Sequence, residues 1–243
     1  MNLYFDIGNT NIVLSFEEKS IFSKSHRIET YSSNLEENLD RLIDIEKINF
    51  VIITSVVSKI TEIIIDYLKS KSFNNIFVIN HTKYKFDSLY KSIETLGNDR
   101  ICNIAYIKEN YGKNCAVIDF GSAITYEIID NNGIFIGGFI MPGIRLMLNS
   151  LHKDTANLPL TKDYIPQNFI GNDTKSCITS GVFYTITKST EGIIRSLKED
   201  NPEMKIIATG GYAETISKYI DGIDEVSPLL TLLGAKIIFE SNI

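Results

Sequence analysis

The chain is poor in the residues that build metal centres and disulfide frameworks, with three cysteines, three histidines and no tryptophan among its 243 residues. Cys102, Cys115 and Cys177 lie far apart and show no metal-ligand spacing. This pattern argues against a zinc site and against a disulfide-stabilised secreted domain, and it is typical of proteins kept in a reducing cytoplasm.

Basic residues are also fewer than acidic ones: the chain has 24 Lys and Arg residues and 30 Asp and Glu residues, which gives a net charge of -6. A protein that neutralises nucleic-acid phosphates needs an excess of basic side chains, so we expect no nucleic-acid partner. No apolar run reaches the ~18 residues that span a bilayer. A strand pattern begins within two residues of Met1 and leaves no room for a signal peptide. We therefore expect a cytoplasmic protein with no membrane partner.

Strand and helix patterns alternate over the first half of the chain. The continuous β-branched run "INFVIITSVV" is typical of a strand buried on both faces of a sheet. Ser33 and Ser58 have the residue type of a helix N-cap, and apolar residues at helical spacing follow each of them. We predict the order βββαβαβ, with strands at 2–7, 11–16, 20–27, 48–57 and 74–80 and helices beginning at the two serines.

A second half of the same kind follows a polar connection, 81–96, and a helix that opens near Asp99 and stops at Gly112. The stretch "CAVIDFGSAITYEIID" resembles the opening "LYFDIGNTNIVLSF". Helices at 142–151 and 172–199, the strand "KIIAT" and the closing helix "PLLTLLGAKIIFE" complete the second half. The sequence thus predicts an α/β fold of two repeated halves, with domains at 1–112 and 113–243.

The repeat is clearest at two Asp-x-Gly turns, each placed between two apolar strands. Moving 113 positions along the chain takes Asp6 to Asp119, and the following Gly and Asn fall on Gly121 and Ser122. Backbone N–H groups and short polar side chains at such turns can bind phosphate oxygens, and an Asp beside phosphates requires a hard cation such as Mg²⁺. Two such turns would clamp a nucleoside triphosphate in the cleft between the halves. The structural alternative is a pair of Asx-type turns.

Two further stretches have the residues of a phosphotransferase site. Thr209-Gly210-Gly211 lies between a strand and a helix, where it could admit a ribose or base, or simply allow close packing. The segment "GNDR" opens a helix, so Asp99 could act as the base that accepts a hydroxyl proton, with Arg100 on a carboxylate or phosphate. The alternative for Asp99 is helix capping.

The ordered motifs "DIGNTN", "GNDR", "DFGSAIT", "GGFIMPG", "TANLP", "GNDT…SG" and "TGG" cover essentially the whole chain. In this order they resemble those of type III pantothenate kinases. The resemblance implies a duplicated ribonuclease-H-like fold of the acetate and sugar kinase/Hsp70/actin superfamily, and phosphorylation of pantothenate by ATP in the first step of coenzyme A synthesis. It also implies Mg²⁺, a monovalent cation (K⁺ or NH₄⁺) and a homodimer.

The resemblance further implies roles for individual residues. Asp99 would be the general base, and the metal ligands would be Asp6 for Mg²⁺ and Asp119 for the monovalent cation. Nucleotide binding would involve Asp6, Ile7, Gly8, Asn9, Thr10, Asn11, Gly121, Ser122 and Gly210. Pantothenate binding would involve Tyr90, Gly97, Asn98, Asp99, Arg100 and Thr174, the last reaching in from the partner subunit. The segment "GGFIMPG" would lie near the dimer interface, or would simply be an edge strand closed by a Pro-Gly turn.

The chain departs from the family pattern at several positions. Ser92-Ile93 stands where the family usually has Asn-Pro, which predicts a less rigid loop after Tyr90. Ser122 and Ile124 each replace a common Thr, and Glu127 replaces a common Asp. Two alternative functions stay open from the residues alone: a same-fold regulatory accessory protein without kinase activity, and a kinase for another small hydroxy acid. An Hsp70- or actin-type protein would need more subdomains than 243 residues provide.

Overall fold

The apolar runs of the sequence form two mixed β-sheets flanked by helices in the computed structural model, which describes residues 1–243. The strands are β1 (Asn2–Ile7), β2 (Asn11–Glu18), β3 (Ile21–Phe22), β4 (His26–Glu29), β5 (Phe50–Ser55), β6 (Ile76–Val78), β7 (Cys115–Phe120), β8 (Ala123–Ile129), β9 (Phe135–Gly137), β10 (Ile140–Pro142), β11 (Lys205–Thr209) and β12 (Glu225–Val226). The helices are α1 (Leu35–Leu42), α2 (Ser58–Ser70), α3 (Asn98–Asn110), α4 (Ile144–Lys153), α5 (Thr174–Asp200), α6 (Ala213–Ile216) and α7 (Leu230–Glu240).

The two sheets have the same strand order. In the first, the path runs β3-β2-β1-β5-β6 and β4 also pairs with β2; in the second, it runs β10-β8-β7-β11-β12 and β9 also pairs with β8. In each sheet the central strand is antiparallel to its hairpin partner and parallel to the strand that follows a helical crossover. The duplicated α/β fold that the sequence predicts is therefore confirmed.

The predicted third strand, 20–27, is wrong, because two short strands, β3 and β4, replace it. Both pair with β2, but the register advances by one residue between the two pairings, so the segment between them bulges out of the ladder. Ser23 fills the break: its hydroxyl accepts the Phe16 N–H at 3.1 Å, and its own N–H donates to the Phe16 carbonyl at 2.7 Å. The second sheet repeats this interruption, because β9 and β10 both pair with β8.

The helix boundaries differ in detail from the predictions. Asn34 and Val57 occupy the N-cap positions of α1 and α2 without a side-chain cap, so Ser33 and Ser58 are not the caps. A side-chain cap does occur at α5, where Asp173 and Ser176 form a reciprocal capping box. No helix in the structure combines the length and apolar character needed to cross a membrane.

Two compact units make up the chain, and the last helix belongs to the first of them. The first unit comprises Met1–Gly112 and Leu229–Ile243, and the second comprises Lys113–Pro228. Helix α7 packs along α3 and against β1 and β5. At Gly234 a side chain would overlap the backbone of Cys102, so only glycine permits this approach. The predicted second domain, 113–243, assigned these last residues to the other half; their apolar packing places them with the first unit.

Candidate active site

The first phosphate-binding turn predicted by the sequence joins β1 to β2. The Gly8 N–H donates to the Asn11 carbonyl at 3.0 Å and closes the turn. Thr30, just after β4, fixes it from outside: its hydroxyl donates to the Gly8 carbonyl at 2.6 Å, and its N–H donates to the Thr10 carbonyl at 3.1 Å. Asn9, at the tip of the turn, is exposed. The turn is therefore held rigidly while its tip stays accessible to a ligand.

Helix α3 begins beside this turn, in the same unit, and places Asp99 in its first turn with Gly97 at the N-cap position. The Asn98 side-chain amide donates to the Ser55 carbonyl at 3.0 Å and so ties the start of α3 to the carboxyl end of β5. Asp99 Oδ1 accepts the Arg100 N–H at 2.7 Å. Asp99 thus satisfies one backbone N–H at the helix start, although the N-cap position belongs to Gly97 and carries no side-chain cap.

The pKa values of Asp6 and Asp99 are both raised, and the charge of Asp99 contributes to the rise at Asp6. Burial, followed by the negative charge of Asp99, raises the pKa of Asp6 to about 7, and the positive charge of Arg27 opposes this rise. Burial also raises the pKa of Asp99, against the stabilising N–H of Arg100. Two carboxylates that resist ionisation together suit a divalent cation, whose charge favours the ionised form of both.

Tyr90 and Arg100, both predicted to bind pantothenate, lie together in the first unit. The Arg100 guanidinium carbon lies 5.9 Å from the centre of the Tyr90 ring, which is a cation–π geometry. Arg100 is only 6% exposed, so its charge is largely withdrawn from water. After Tyr90, the N–H of Thr95 donates to the Ser92 carbonyl at 3.0 Å and forms a short helical turn. The loop without Asn-Pro is therefore ordered by hydrogen bonds.

The second turn joins β7 to β8 in the second unit. It is closed by the Gly121 N–H, which donates to the Ala123 carbonyl at 3.1 Å, and the Ser122 carbonyl accepts the Gly143 N–H at 3.1 Å. Ile124, where the family commonly has Thr, is buried in β8 opposite Phe120. Its side chain therefore belongs to the core of the unit.

Gly210 presses directly against Asp119, the other predicted metal ligand. Its φ of +95° is in the left-handed region, and a side chain there would overlap Asp119 Oδ1 and the Phe120 backbone. The Tyr212 N–H donates to the Phe120 carbonyl at 3.1 Å and holds the two loops together. Asp119, Ser122 and Gly210 thus form one cluster in the second unit.

Thr174 is the first residue of α5, and it is exposed. The capping box formed by Asp173 and Ser176 fixes the helix start around it. The sequence does not mark Thr30 or Arg27 as site residues. Thr30, just after β4, makes hydrogen bonds to the first turn, and Arg27, in β4, affects the pKa of Asp6. No motif marks them, because their role depends on the cross-strand pairing of β4 with β2.

Comparisons with known proteins show which family the chain resembles. A family model described as type III pantothenate kinase matches residues 2–196. The type III pantothenate kinase of Thermosipho melanesiensis is 34% identical over 224 residues, covering 90% of each chain. That of Fervidobacterium nodosum is 33% identical over 250 residues, covering 100% of this chain and 98% of the relative.

Two solved structures have the same fold. One, from Campylobacter jejuni, is a conserved protein assigned to the Baf family of transcriptional activators; it matches with a TM-score of 0.60 at 25% identity, covering 99% of this chain and 98% of that one. The ethanolamine utilization protein EutJ of Carboxydothermus hydrogenoformans matches with a TM-score of 0.51 at 14% identity, covering 98% and 89% of the two chains. At that identity, the EutJ match bears on the fold alone.

Proposed function

The chain belongs to the type III pantothenate kinase family, and we propose that it transfers a phosphoryl group from ATP to the primary hydroxyl of pantothenate with Asp99 as the general base. The observation that supports this most directly is the proximity of Asp6 and Asp99: burial raises the pKa of both carboxyl groups, and the charge of Asp99 adds to the rise at Asp6. One carboxylate lies at a phosphate turn and the other at a helix start, as a phosphotransferase requires.

Membership of a kinase family implies ATP and a divalent metal ion. We assign the turn from Asp6 to Asn11, including Ile7, Gly8, Asn9 and Thr10, to the triphosphate, with Asp6 toward Mg²⁺. The residues fit this group, because a buried carboxylate with a pKa near 7 beside a second carboxylate gains most from an added cation. The ion would shield phosphate charge from both carboxylates and polarise the transferred group.

Asp99 accepts the proton of the attacking hydroxyl in this proposal. A general base works best when its pKa is closer to the operating pH than that of an ordinary carboxyl, and burial moves the pKa of Asp99 in that direction. Its bond to the Arg100 N–H fixes one oxygen, which leaves the other to face the hydroxyl. Gly97 keeps the space beside Asp99 open, because a side chain there would approach Asp99 Oδ1 at 2.5 Å.

The carboxylate of pantothenate is assigned to Arg100, with Tyr90 and Asn98 shaping the pocket around it. A guanidinium binds a carboxylate through paired N–H donors, and the low exposure of Arg100 strengthens that attraction. We further propose that Thr174 contributes its exposed hydroxyl to the pantothenate bound by a second subunit. Hydroxyl donors at a helix start are well placed for a polar or anionic ligand.

Asp119 is proposed to hold a monovalent cation, K⁺ or NH₄⁺, and Gly121, Ser122 and Gly210 are proposed to contact the nucleotide. The donor set suits a monovalent ion, since a single carboxylate lies among loops rich in backbone carbonyls. Close backbone approach at Gly210 keeps this pocket free of side chains. These assignments place cation and phosphate contacts on the equivalent turn of the second half.

A homodimer is proposed to form through the apolar edge of the second sheet. We define this edge by four exposed side chains from β9, the β9–β10 connection, β10 and α4: Ile136, Phe139, Ile140 and Leu146. Strand β10 ends the sheet, and an apolar edge strand left open is a recognised liability that a second copy removes. In light-scattering chromatography, Ile140→Lys should give monomers, whereas Ile21→Lys, at the edge of the first sheet, should stay dimeric. A monomeric wild type would exclude the dimer.

The other proposed partners are the small-molecule substrates ATP and pantothenate. We propose no nucleic-acid partner, no membrane partner and a cytoplasmic location. The net charge of -6 supports the absence of a nucleic-acid partner. An electrophoretic mobility shift assay with duplex DNA at low salt tests this expectation, and retarded DNA would contradict it.

The decisive test of function is a coupled assay of ADP release with ATP and Mg²⁺, with and without pantothenate, in K⁺ and then in Na⁺ buffer. We expect turnover only with pantothenate, and slower turnover without K⁺. ADP release that requires a different hydroxy acid would show another kinase on this fold. If no acceptor supports turnover, an accessory role would replace the proposal.

A further inference from the structure

Four side chains form one row across the first sheet. Arg27 of β4 is paired with Val13 of β2, Val13 with Asp6 of β1, and Asp6 with Thr54 of β5. Directly opposed residues of neighbouring strands project from the same face of a sheet. Arg27 and Asp6 therefore share a face of the sheet and are separated on it by the short side chain of Val13.

The position of Arg27 relative to the phosphate turn is fixed by the backbone. Three residues after Arg27, Thr30 makes two hydrogen bonds to the turn, to the carbonyls of Gly8 at 2.6 Å and Thr10 at 3.1 Å. Strand β4 cannot move without moving that turn. A long side chain on β4 thus has a defined origin with respect to whatever the turn binds.

The guanidinium of Arg27 is exposed, and no hydrogen bond or ion pair to another side chain holds it. Its side chain projects from the same face of the sheet as the Asp6 carboxylate, with one strand between them. An arginine that is solvated, uncommitted and close to a phosphate turn is suited to an anionic ligand, because its planar fork matches phosphate oxygens.

The second sheet provides an internal comparison. Its equivalent row contains Ile140, Thr125, Asp119 and Thr209, with the same pairings between strands. Asp recurs on the equivalent strands β1 and β7, and Thr on the equivalent strands β5 and β11, but the cation on the outer strand occurs only in the first row. The arginine is therefore not a requirement of the strand arrangement itself.

We propose that Arg27 contacts the terminal phosphate of bound ATP and stabilises the charge that develops on the phosphoryl group during transfer. In this step, which rests on the proposed function, the bond from the terminal phosphorus to the bridging oxygen of ADP breaks. A bond from that phosphorus to the acceptor hydroxyl oxygen forms, and the hydroxyl proton goes to Asp99. Arg27 forms and breaks no covalent bond; it donates hydrogen bonds to the oxygens of the transferred group.

The test compares Arg27→Gln, Arg27→Lys and, as a matched control, Lys24→Gln, which removes an exposed cation from the segment just before β4. Calorimetric titrations with ATP and with ADP, both with Mg²⁺, are measured beside turnover and thermal unfolding. For Arg27→Gln we expect turnover to fall about 100-fold. ATP affinity should fall about tenfold while ADP affinity changes less than about twofold. Arg27→Lys should be intermediate, and Lys24→Gln should match the wild type.

Equal weakening of ATP and ADP binding, accompanied by a lower unfolding temperature, would show that Arg27 only supports the turn and would overturn the inference. Wild-type turnover in Arg27→Gln would overturn it as well. The affinity comparison does not need an acceptor. If the wild type failed to phosphorylate pantothenate, the proposed function would fall, yet the contrast between ATP and ADP would still decide the role of Arg27.

Discussion

The two β-hairpin turns that follow Asp6 and Asp119 are related by the repeat but differ in length. Four residues separate the paired Ile7 and Ile12 in the first turn, whereas three separate the paired Phe120 and Ile124 in the second. The correspondence of 113 positions therefore holds up to the glycine and slips by one residue at the end of the turn. By strand pairing, Ile124 is therefore the counterpart of Ile12, a core residue, and not of Asn11, which the shift of 113 positions would give.

The shorter turn has fewer polar side chains. The first presents Asn9, Thr10 and Asn11, and the second presents Ser122. The carboxylates differ as well: Asp6 faces a second carboxylate on α3, while Asp119 lies against the glycine backbone at Gly210. The duplicated halves have thus diverged in what surrounds a common aspartate, and the divergence matches the different roles proposed for Asp6 and Asp119.

The largest expected effect comes from the carboxylate that only the first half possesses. Asp99→Asn should lower turnover by on the order of 10² or more, because the amide cannot accept the hydroxyl proton. ATP affinity should stay close to that of the wild type, since Asp99 acts on the acceptor. The comparison is made by steady-state kinetics and calorimetry, with Asp87→Asn as a control for removing one exposed carboxylate. Near-normal turnover would reduce Asp99 to a helix cap.

Gly210→Ala should disrupt the second turn through sterics. A side chain at φ +95° is strained and would overlap Asp119 and the Phe120 backbone, so we expect a loss of about 3 kcal/mol in the free energy of unfolding. Denaturant titration measures it. Gly181→Ala, on α5 with open space around it, is the matched control and should be neutral or slightly stabilising. Equal stabilities for the two variants would contradict the close packing described at Asp119.

Asp6→Asn should stabilise the nucleotide-free protein in a pH-dependent way. Because the folded pKa of about 7 exceeds the ordinary 3.8, ionisation of Asp6 costs stability as the pH rises between these values. The variant should therefore match the wild type near pH 3 and exceed it by about 4 kcal/mol at pH 8, since one unit of pKa difference corresponds to about 1.4 kcal/mol. Urea titrations across this range check the slope. A constant difference would argue against the burial of Asp6, and Mg²⁺ with ATP should favour the wild type instead.

The smallest effect is expected at position 124, where this chain has Ile and the family commonly has Thr. Ile124→Thr restores the common threonine, but it places a hydroxyl in the core opposite Phe120 and should cost about 1 to 2 kcal/mol. Turnover should not rise, because the residue lies in the strand. Ser122→Thr, which restores a threonine in the turn itself, is the comparison variant. A gain in ATP affinity from Ile124→Thr alone would contradict the strand assignment.

Sequence reasoning succeeded where a pattern was local and continuous. Periodic apolar residues defined β1, β5, α3 and α5 well, and the paired Asp-x-Gly turns defined the duplication. It failed where the outcome depends on pairing between strands: the break at Ser23, the shorter second turn and the approach of Arg27 to Asp6 are all matters of register. A one-residue shift in register leaves composition and periodicity almost unchanged, so no single-sequence signal reports it.

The placement of α7 was missed for a related reason, since its largely apolar sequence does not specify which surface buries it. Its partner is α3, and the crossing is close enough to require Gly234 against the Cys102 backbone. The helix that presents Asp99 is therefore completed by a segment separated from it by the entire second unit.

This arrangement has a consequence for biosynthesis. A ribosome releases α3 long before α7, so the apolar face of α3 has no native partner while the second unit is being made. The first unit can reach its final packing only after the second has emerged, and the order of domain folding along the chain is reversed relative to the order of translation. A released fragment that ends at Pro228 should consequently hold a folded second unit and an incomplete first one.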